Sequence, residues 1–191
     1  MYNKRGFRVY YLLLSEGTTE FNLFAYLTKV KFKELFSDSS IQFSNRVEII
    51  KDGNQIVSQG KLEGVSNVKH FKSKRILIKK KYAGQKLFYF LDKDMEDSSA
   101  IEELIKKDDD LVQFMEYNSE HLLLRLAGKN PKNPSDFNNL KDFRDYSKTE
   151  FVKQFGKNAH KFKDADFELV FNIPTEDEIK ASLSILFSTL E

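Results

Sequence analysis

The stretch Arg8-Val9-Tyr10-Tyr11-Leu12-Leu13-Leu14-Ser15-Glu16-Gly17-Thr18-Thr19-Glu20 decides the fold. From Val9 to Leu14 it is continuously apolar and β-prone, as a strand covered on both faces of a parallel sheet must be. Gly17 supplies a turn, Thr18 or Thr19 can cap a helix, and Glu20 complements the helix N-terminus. Helical spacing follows through Phe21, Phe24, Ala25, Leu27 and Thr28 towards Leu35. Working outward, a loop near 37–40 leads to a short strand over 46–50, broken by Asp52-Gly53-Asn54. Residues 55–82 read mostly as helix, interrupted near Gly60 and Gly64. A second buried strand covers 86–91 and closes on Asp92-Lys93-Asp94. A helix over 96–107, a strand over 111–117 and a helix over 120–127, capped by Asn118-Ser119, complete the alternation.

This order predicts an α/β fold with a mainly parallel four-stranded sheet flanked by helices. Beyond a loop at 128–134 the pattern changes to helices over 137–155 and 176–190. The expected organisation is therefore an α/β domain over 1–128 with a helical C-terminal extension over 129–191 packed on it. The seven phenylalanines 137, 143, 151, 155, 162, 167 and 171 suit the core of that extension.

The chain has 191 residues and 40% hydrophobic content, enough for one domain with a proper core. Its 31 Lys and Arg nearly balance 29 Asp and Glu, which excludes a wholly basic nucleic-acid coat and a wholly acidic tail protein. With no cysteine there is no disulfide framework, thiol nucleophile or thiolate metal site. No apolar run approaches the roughly 20 residues that span a bilayer, and no signal-peptide pattern opens the chain. A cytoplasmic protein without a membrane partner is expected. No Gly-x-x-x-x-Gly-Lys-Ser/Thr loop occurs, so the chain should not hydrolyse ATP itself. The three histidines, 70, 121 and 160, have no zinc spacing.

Chemistry is suggested by where the acids fall. In an open parallel sheet, ligands bind beyond the carboxyl ends of the strands. Glu16 follows the first apolar strand, Asp92 and Asp94 follow another, and Glu120 lies just past the last. Asp92 and Asp94, one residue apart, project the same way from an extended backbone. Carboxylates brought together repel unless neutralised, and a hard divalent cation with oxygen ligands is the usual solution. Against this, Asp94 could cap the following helix, Asp92 could hold a turn, and Glu16 could be an ordinary loop acid. Asp108-Asp109-Asp110 precedes a strand and so reads as a turn at the opposite edge.

Leu12-Leu13-Leu14-Ser15-Glu16-Gly17-Thr18-Thr19-Glu20 and Phe88-Tyr89-Phe90-Leu91-Asp92-Lys93-Asp94 together resemble the TOPRIM pattern, a hydrophobic strand ending in Glu-Gly and a later one ending in Asp-x-Asp. Glu-Gly-x-Thr-Glu is more similar to the small RloB-like and OLD-like abortive-infection nucleases than to topoisomerases. Tyr117-Asn118-Ser119-Glu120-His121-Leu122-Leu123-Leu124 resembles the Ser/Asn-x-Glu segment of those groups, without the aromatic residues usual around that Glu. The resemblance covers about 8–127. It implies a Mg²⁺- (or Mn²⁺-) dependent phosphodiester-cleaving site in which Asp92 and Asp94 hold the metal. Glu16 would be a ligand or acid/base, with Glu20 and Glu120 completing the cluster. It further implies a role in bacterial defence against phage and a separately encoded ATPase partner. A cation near the leaving oxygen is also implied, with Lys93, His121 and Lys129 nearest in sequence; a partly exposed helix residue is the plainer identity of His121.

Between 69 and 86 the chain carries Lys69, Lys72, Lys74, Arg75, Lys79, Lys80, Lys81 and Lys86 with no acid among them. Such a segment can follow a nucleic-acid backbone, or it can be a solvated helix face. The expected function is a metal-dependent nuclease acting on DNA or RNA. A noncatalytic nucleic-acid-binding or regulatory subunit is the alternative, and a protein in which Asp92 accepts a phosphoryl group is a third reading. Oligomeric state is not legible in the sequence.

Overall fold

The two continuous apolar runs become neighbouring strands, β1 (Val9–Ser15) and β5 (Lys86–Asp92). They pair in parallel with Leu13 opposite Phe88 and Ser15 opposite Phe90. A computed structural model of the chain describes residues 9–39, 41–44, 50–52, 55–57, 60–62, 65, 67–93 and 97–190. Two further strands, β2 (Ile41–Ser44) and β6 (Leu111–Met115), extend the sheet on either side in the order β2-β1-β5-β6. Every pairing in this sheet is parallel. All four carboxyl ends therefore share one edge.

Side chains along the strands alternate between two cores, as the pleat requires. On one face Leu13, Phe88, Phe90 and Met115 meet α1 (Thr18–Tyr26) and α5 (Ser119–Leu126). That face is completed by residues after 140, from α6 (Leu140–Phe155), α7 (Asp164–Phe171), α8 (Glu176–Ser182) and α9 (Ser184–Ser188). Phe151, Phe167, Phe171, Leu183 and Leu186 are buried there in the same core as the strands. On the other face Leu14, Leu87, Tyr89 and Leu91 meet Phe71 and Ile78 of α3 (Val68–Lys81) and Ile101 and Ile105 of α4 (Ser98–Lys106). The helical extension thus completes the covering layer that α1 and α5 begin on this face of the sheet.

Some elements differ from expectation. The strand beside β1 is at 41–44, whereas 46–49 lie outside the described residues. The segment expected to open a long helix at 55 instead holds a short hairpin, β3 (Ile50–Asp52) against β4 (Gln55–Val57). Residues 60–62 then run beside the end of β1. Ser15 donates its N–H to the Gly60 carbonyl and accepts from Leu62 N–H, both at 2.7 Å. The helix starts only at Val68, where the Asn67 side chain accepts from His70 N–H at 3.0 Å. The helix after β1 is also interrupted. A π-turn over Leu27–Lys31 separates α1 from α2 (Lys33–Asp38).

Candidate metal and nucleic-acid site

β1 is followed by α1 and then β2 on its one side, while the later crossover through α3 leads to β5 on its other side. The strand order therefore reverses between β1 and β5. Ligand crevices of open α/β sheets form at this kind of switch point, beyond the carboxyl ends. Glu16 and Asp92 are the residues that emerge there.

The structure brings them together. Glu16 N–H donates to the Phe90 carbonyl at 3.1 Å, which continues the β1–β5 ladder by one residue. The Glu16 carboxylate then turns over the crevice, and its Oε2 accepts from Asp92 N–H at 3.2 Å. Asp92 Oδ1 in turn accepts from Ser119 N–H, at the start of α5, at 3.0 Å. Ser119 Oγ lies 2.7 Å from Glu20 Oε1 and 3.4 Å from Glu120 Oε2. Glu16, Glu20, Asp92 and Glu120 are thus linked across three chain segments, with Ser119 at the join. Asp94 lies outside the described residues.

Local sequence explains each position. Asn118 caps α5 by accepting His121 N–H at 2.8 Å, so the first amide of the helix faces Asp92. Tyr117 takes a left-handed backbone, φ 67°, and its carbonyl accepts from Lys93 N–H at 2.6 Å. This ties the residue after Asp92 to the turn before Ser119. Gly17 has extended backbone, yet a Cβ there would meet Glu20 Oε2 at 3.0 Å. Glu20 is buried, so its carboxylate occupies the room that the missing side chain leaves.

Of the three cations nearest in sequence, Lys93 is exposed beside Asp92. His121 is 1% exposed, edge-on to Tyr117 and tilted against Phe143, which overturns the partly exposed helix residue expected of it. Burial holds its imidazole below the ordinary histidine range, with Glu116 opposing. Lys129 follows the far end of α5, beyond about 12 Å of helix from Ser119. The cation that sequence reading missed is Lys61. Its backbone is pinned beside Ser15, and its Nζ lies 3.5 Å from Thr18 Oγ1. Only the non-local pairing of 60–62 with β1 puts it there, and no local pattern announces that pairing.

The donors are carboxylates and a hydroxyl, the hard oxygen chemistry that Mg²⁺ or Mn²⁺ takes. In donor type they suit such an ion. Among the described residues no three His, Asp or Glu side chains group closely enough to hold one.

The basic segment divides on α3. Lys74 is buried on the face that carries Phe71 and Ile78. Arg75 pairs with Asp108, Lys79 pairs with Asp110 and lies 3.5 Å from Asp108, and Lys86 pairs with Asp109. The acid turn 108–110 therefore sits at the opposite sheet edge and neutralises part of the segment from a distance in sequence. Lys69, Lys72, Lys80 and Lys81 are exposed.

No protein-family model, no curated protein and no solved structure matches this chain. Among the described residues no helix is long and apolar enough to cross a membrane.

Proposed function

We propose that this protein is a small metal-dependent nuclease that cleaves phosphodiester bonds of DNA or RNA at the β1–β5 crevice. The observation that carries the reading is the bond from Asp92 N–H to the Glu16 carboxylate across the switch point, 76 residues apart in the chain. Glu16 and Asp92, with Asp94, would hold Mg²⁺ or Mn²⁺, and Glu20 and Glu120 would complete the acidic surround. When bound, the cation neutralises charge on the transferring phosphate and lowers the pKa of an attacking water. The chain's own contribution is positioning. Ser119 N–H fixes one oxygen of Asp92 and Ser119 Oγ fixes Glu20, so neither acid must be reorganised when substrate arrives. Lys61, beside the first turn of α1, is suited to neutralise a phosphate oxygen. A role in phage defence beside a separately encoded ATPase belongs to the same reading and rests on the resemblance of the two motifs.

Glu16→Gln and Asp92→Asn keep shape and remove charge. Each should cut Mg²⁺-dependent cleavage of a labelled oligonucleotide about 100-fold or more. Mn²⁺ affinity, read by calorimetry, should weaken in both, while circular dichroism and thermal unfolding stay near those of the parent chain. Parent-like cleavage by both variants overturns the mechanism.

The second reading, a noncatalytic nucleic-acid-binding or regulatory subunit, is favoured by one feature. Main-chain amides engage both Glu16 and Asp92, as they engage purely structural carboxylates. It predicts salt-sensitive nucleic-acid binding with no cleavage in Mg²⁺ or Mn²⁺.

A further inference from the structure

Apart from Lys74 and Lys81, the lysines and arginine of α3 fall into two sets with different surroundings. Arg75 and Lys79 lie on the flank that faces the acid turn and are ion-paired with it. Lys69, Lys72, Ile76 and Lys80 recur at spacings of three and four residues and so form one stripe, opposite the face that buries Phe71, Lys74 and Ile78. All four are exposed, Ile76 by 63%, and the three lysines make no ion pair among the described residues.

The stripe has a direction. α3 precedes β5 and runs antiparallel to it, so its start lies at the edge that carries Glu16 and Asp92. That start is tied to the loop leaving β5, because Val68 N–H donates to Asp97 Oδ2 at 3.0 Å. Lys69 is therefore at the crevice edge, and Lys80 is about 16 Å away along the helix axis.

We propose that this stripe carries the backbone of the nucleic-acid substrate, with the strand running from Lys80 past Lys72 and Lys69 to the crevice. The inference rests on the nuclease reading for its substrate class and adds which cations bind and which do not. Lys69, Lys72 and Lys80 bind phosphates, whereas Arg75, Lys79 and Lys86 are engaged by the acid turn 108–110. At 3.4 Å of axial rise per nucleotide, the track spans about five nucleotides on one side of the cut. Contact with phosphates alone makes it indifferent to base sequence.

The test is binding of the full chain to a fluorescent 20-nucleotide DNA, single-stranded and duplex, in EDTA over 50–200 mM salt. A Lys69→Gln/Lys72→Gln/Lys80→Gln chain is compared with Lys141→Gln/Lys148→Gln/Lys161→Gln, which removes the same charge from exposed positions elsewhere. The stripe variant should flatten the log Kd against log salt slope by about 2.7 on duplex or about 2 on a single strand. The remote variant should leave the slope as it was. Equal effects of the two variants overturn the proposal, as does an unchanged slope. So does stripe-dependent binding to phosphatidylserine vesicles without stripe-dependent binding to DNA. Stripe-dependent binding without cleavage in Mg²⁺ defeats the nuclease reading and leaves the track standing. Cleavage that the stripe variant performs normally at every salt concentration does the reverse.

Discussion

His121 shows how one buried side chain can make the protein sensitive to acid. It stands two residues after Ser119 on α5 and packs between Tyr117 and Phe143, so the helix turn that holds Asp92 also holds a neutral imidazole. Its folded-state pKa lies below the unfolded value, chiefly because charging it means charging a buried ring. The unfolded chain therefore takes up the proton first. Stability is fully present above about pH 6.5 and falls as pH drops from there towards the folded pKa, by up to about 1.4 kcal/mol per pH unit from this group. Urea unfolding between pH 7.5 and 5 should show that decline. His121→Phe should flatten it, and an unaltered slope in that variant would place the sensitivity elsewhere. Glu16 and Asp92 were legible in the sequence because they directly follow buried strands, where the sheet rules say what sits at the edge. Ser119 was legible as a cap and illegible as the residue joining Glu20, Asp92 and Glu120, because its partners come from three segments.

At the scale of elements, a buried anchor lies at the edge remote from the site. Asp110 is buried, accepts Leu87 N–H at 3.0 Å through Oδ1, and pairs with Lys79 of α3. One carboxylate thus ties β5, β6 and α3 together. The buried Tyr89 hydroxyl beside it is pushed well above the usual tyrosine range, mainly by burial and then by this carboxylate. Asp110→Ala would strand the buried Leu87 amide and leave Lys79 with Asp108 as its partner, and chemical denaturation should show a loss of about 1–3 kcal/mol. A loss under about 0.5 kcal/mol would mean that water replaces the carboxylate. Local pattern announced β1 and β5 because both are long apolar runs. It did not announce β2, four half-buried residues at the sheet margin, too few for alternation to stand out. Nor did it separate β4 from the helix after it, because a three-residue hairpin strand has no period of its own.

For the whole molecule, the decisive fact is that one face of the sheet is closed by residues after 140. Gln113 of β6, 4% exposed, shows the dependence in a single side chain: its Oε1 accepts Ile185 N–H at 2.9 Å and Leu186 N–H at 3.1 Å. Gln113→Leu removes both bonds at the start of α9. Thermal and urea unfolding should record a loss of about 1–3 kcal/mol, in one cooperative transition shared by sheet and helices. A separate early transition for the terminal helices would show that they melt independently.

That closure also constrains the order of events during synthesis. A strand that waits for a partner 72 residues downstream stays only partly covered on one side while the ribosome adds them, about 4–14 seconds at ordinary elongation rates. For that interval α1 already covers Phe88 and Phe90, but the β6 margin of this face lacks α9, so the nascent chain is at its most adhesive there before its last helices exist.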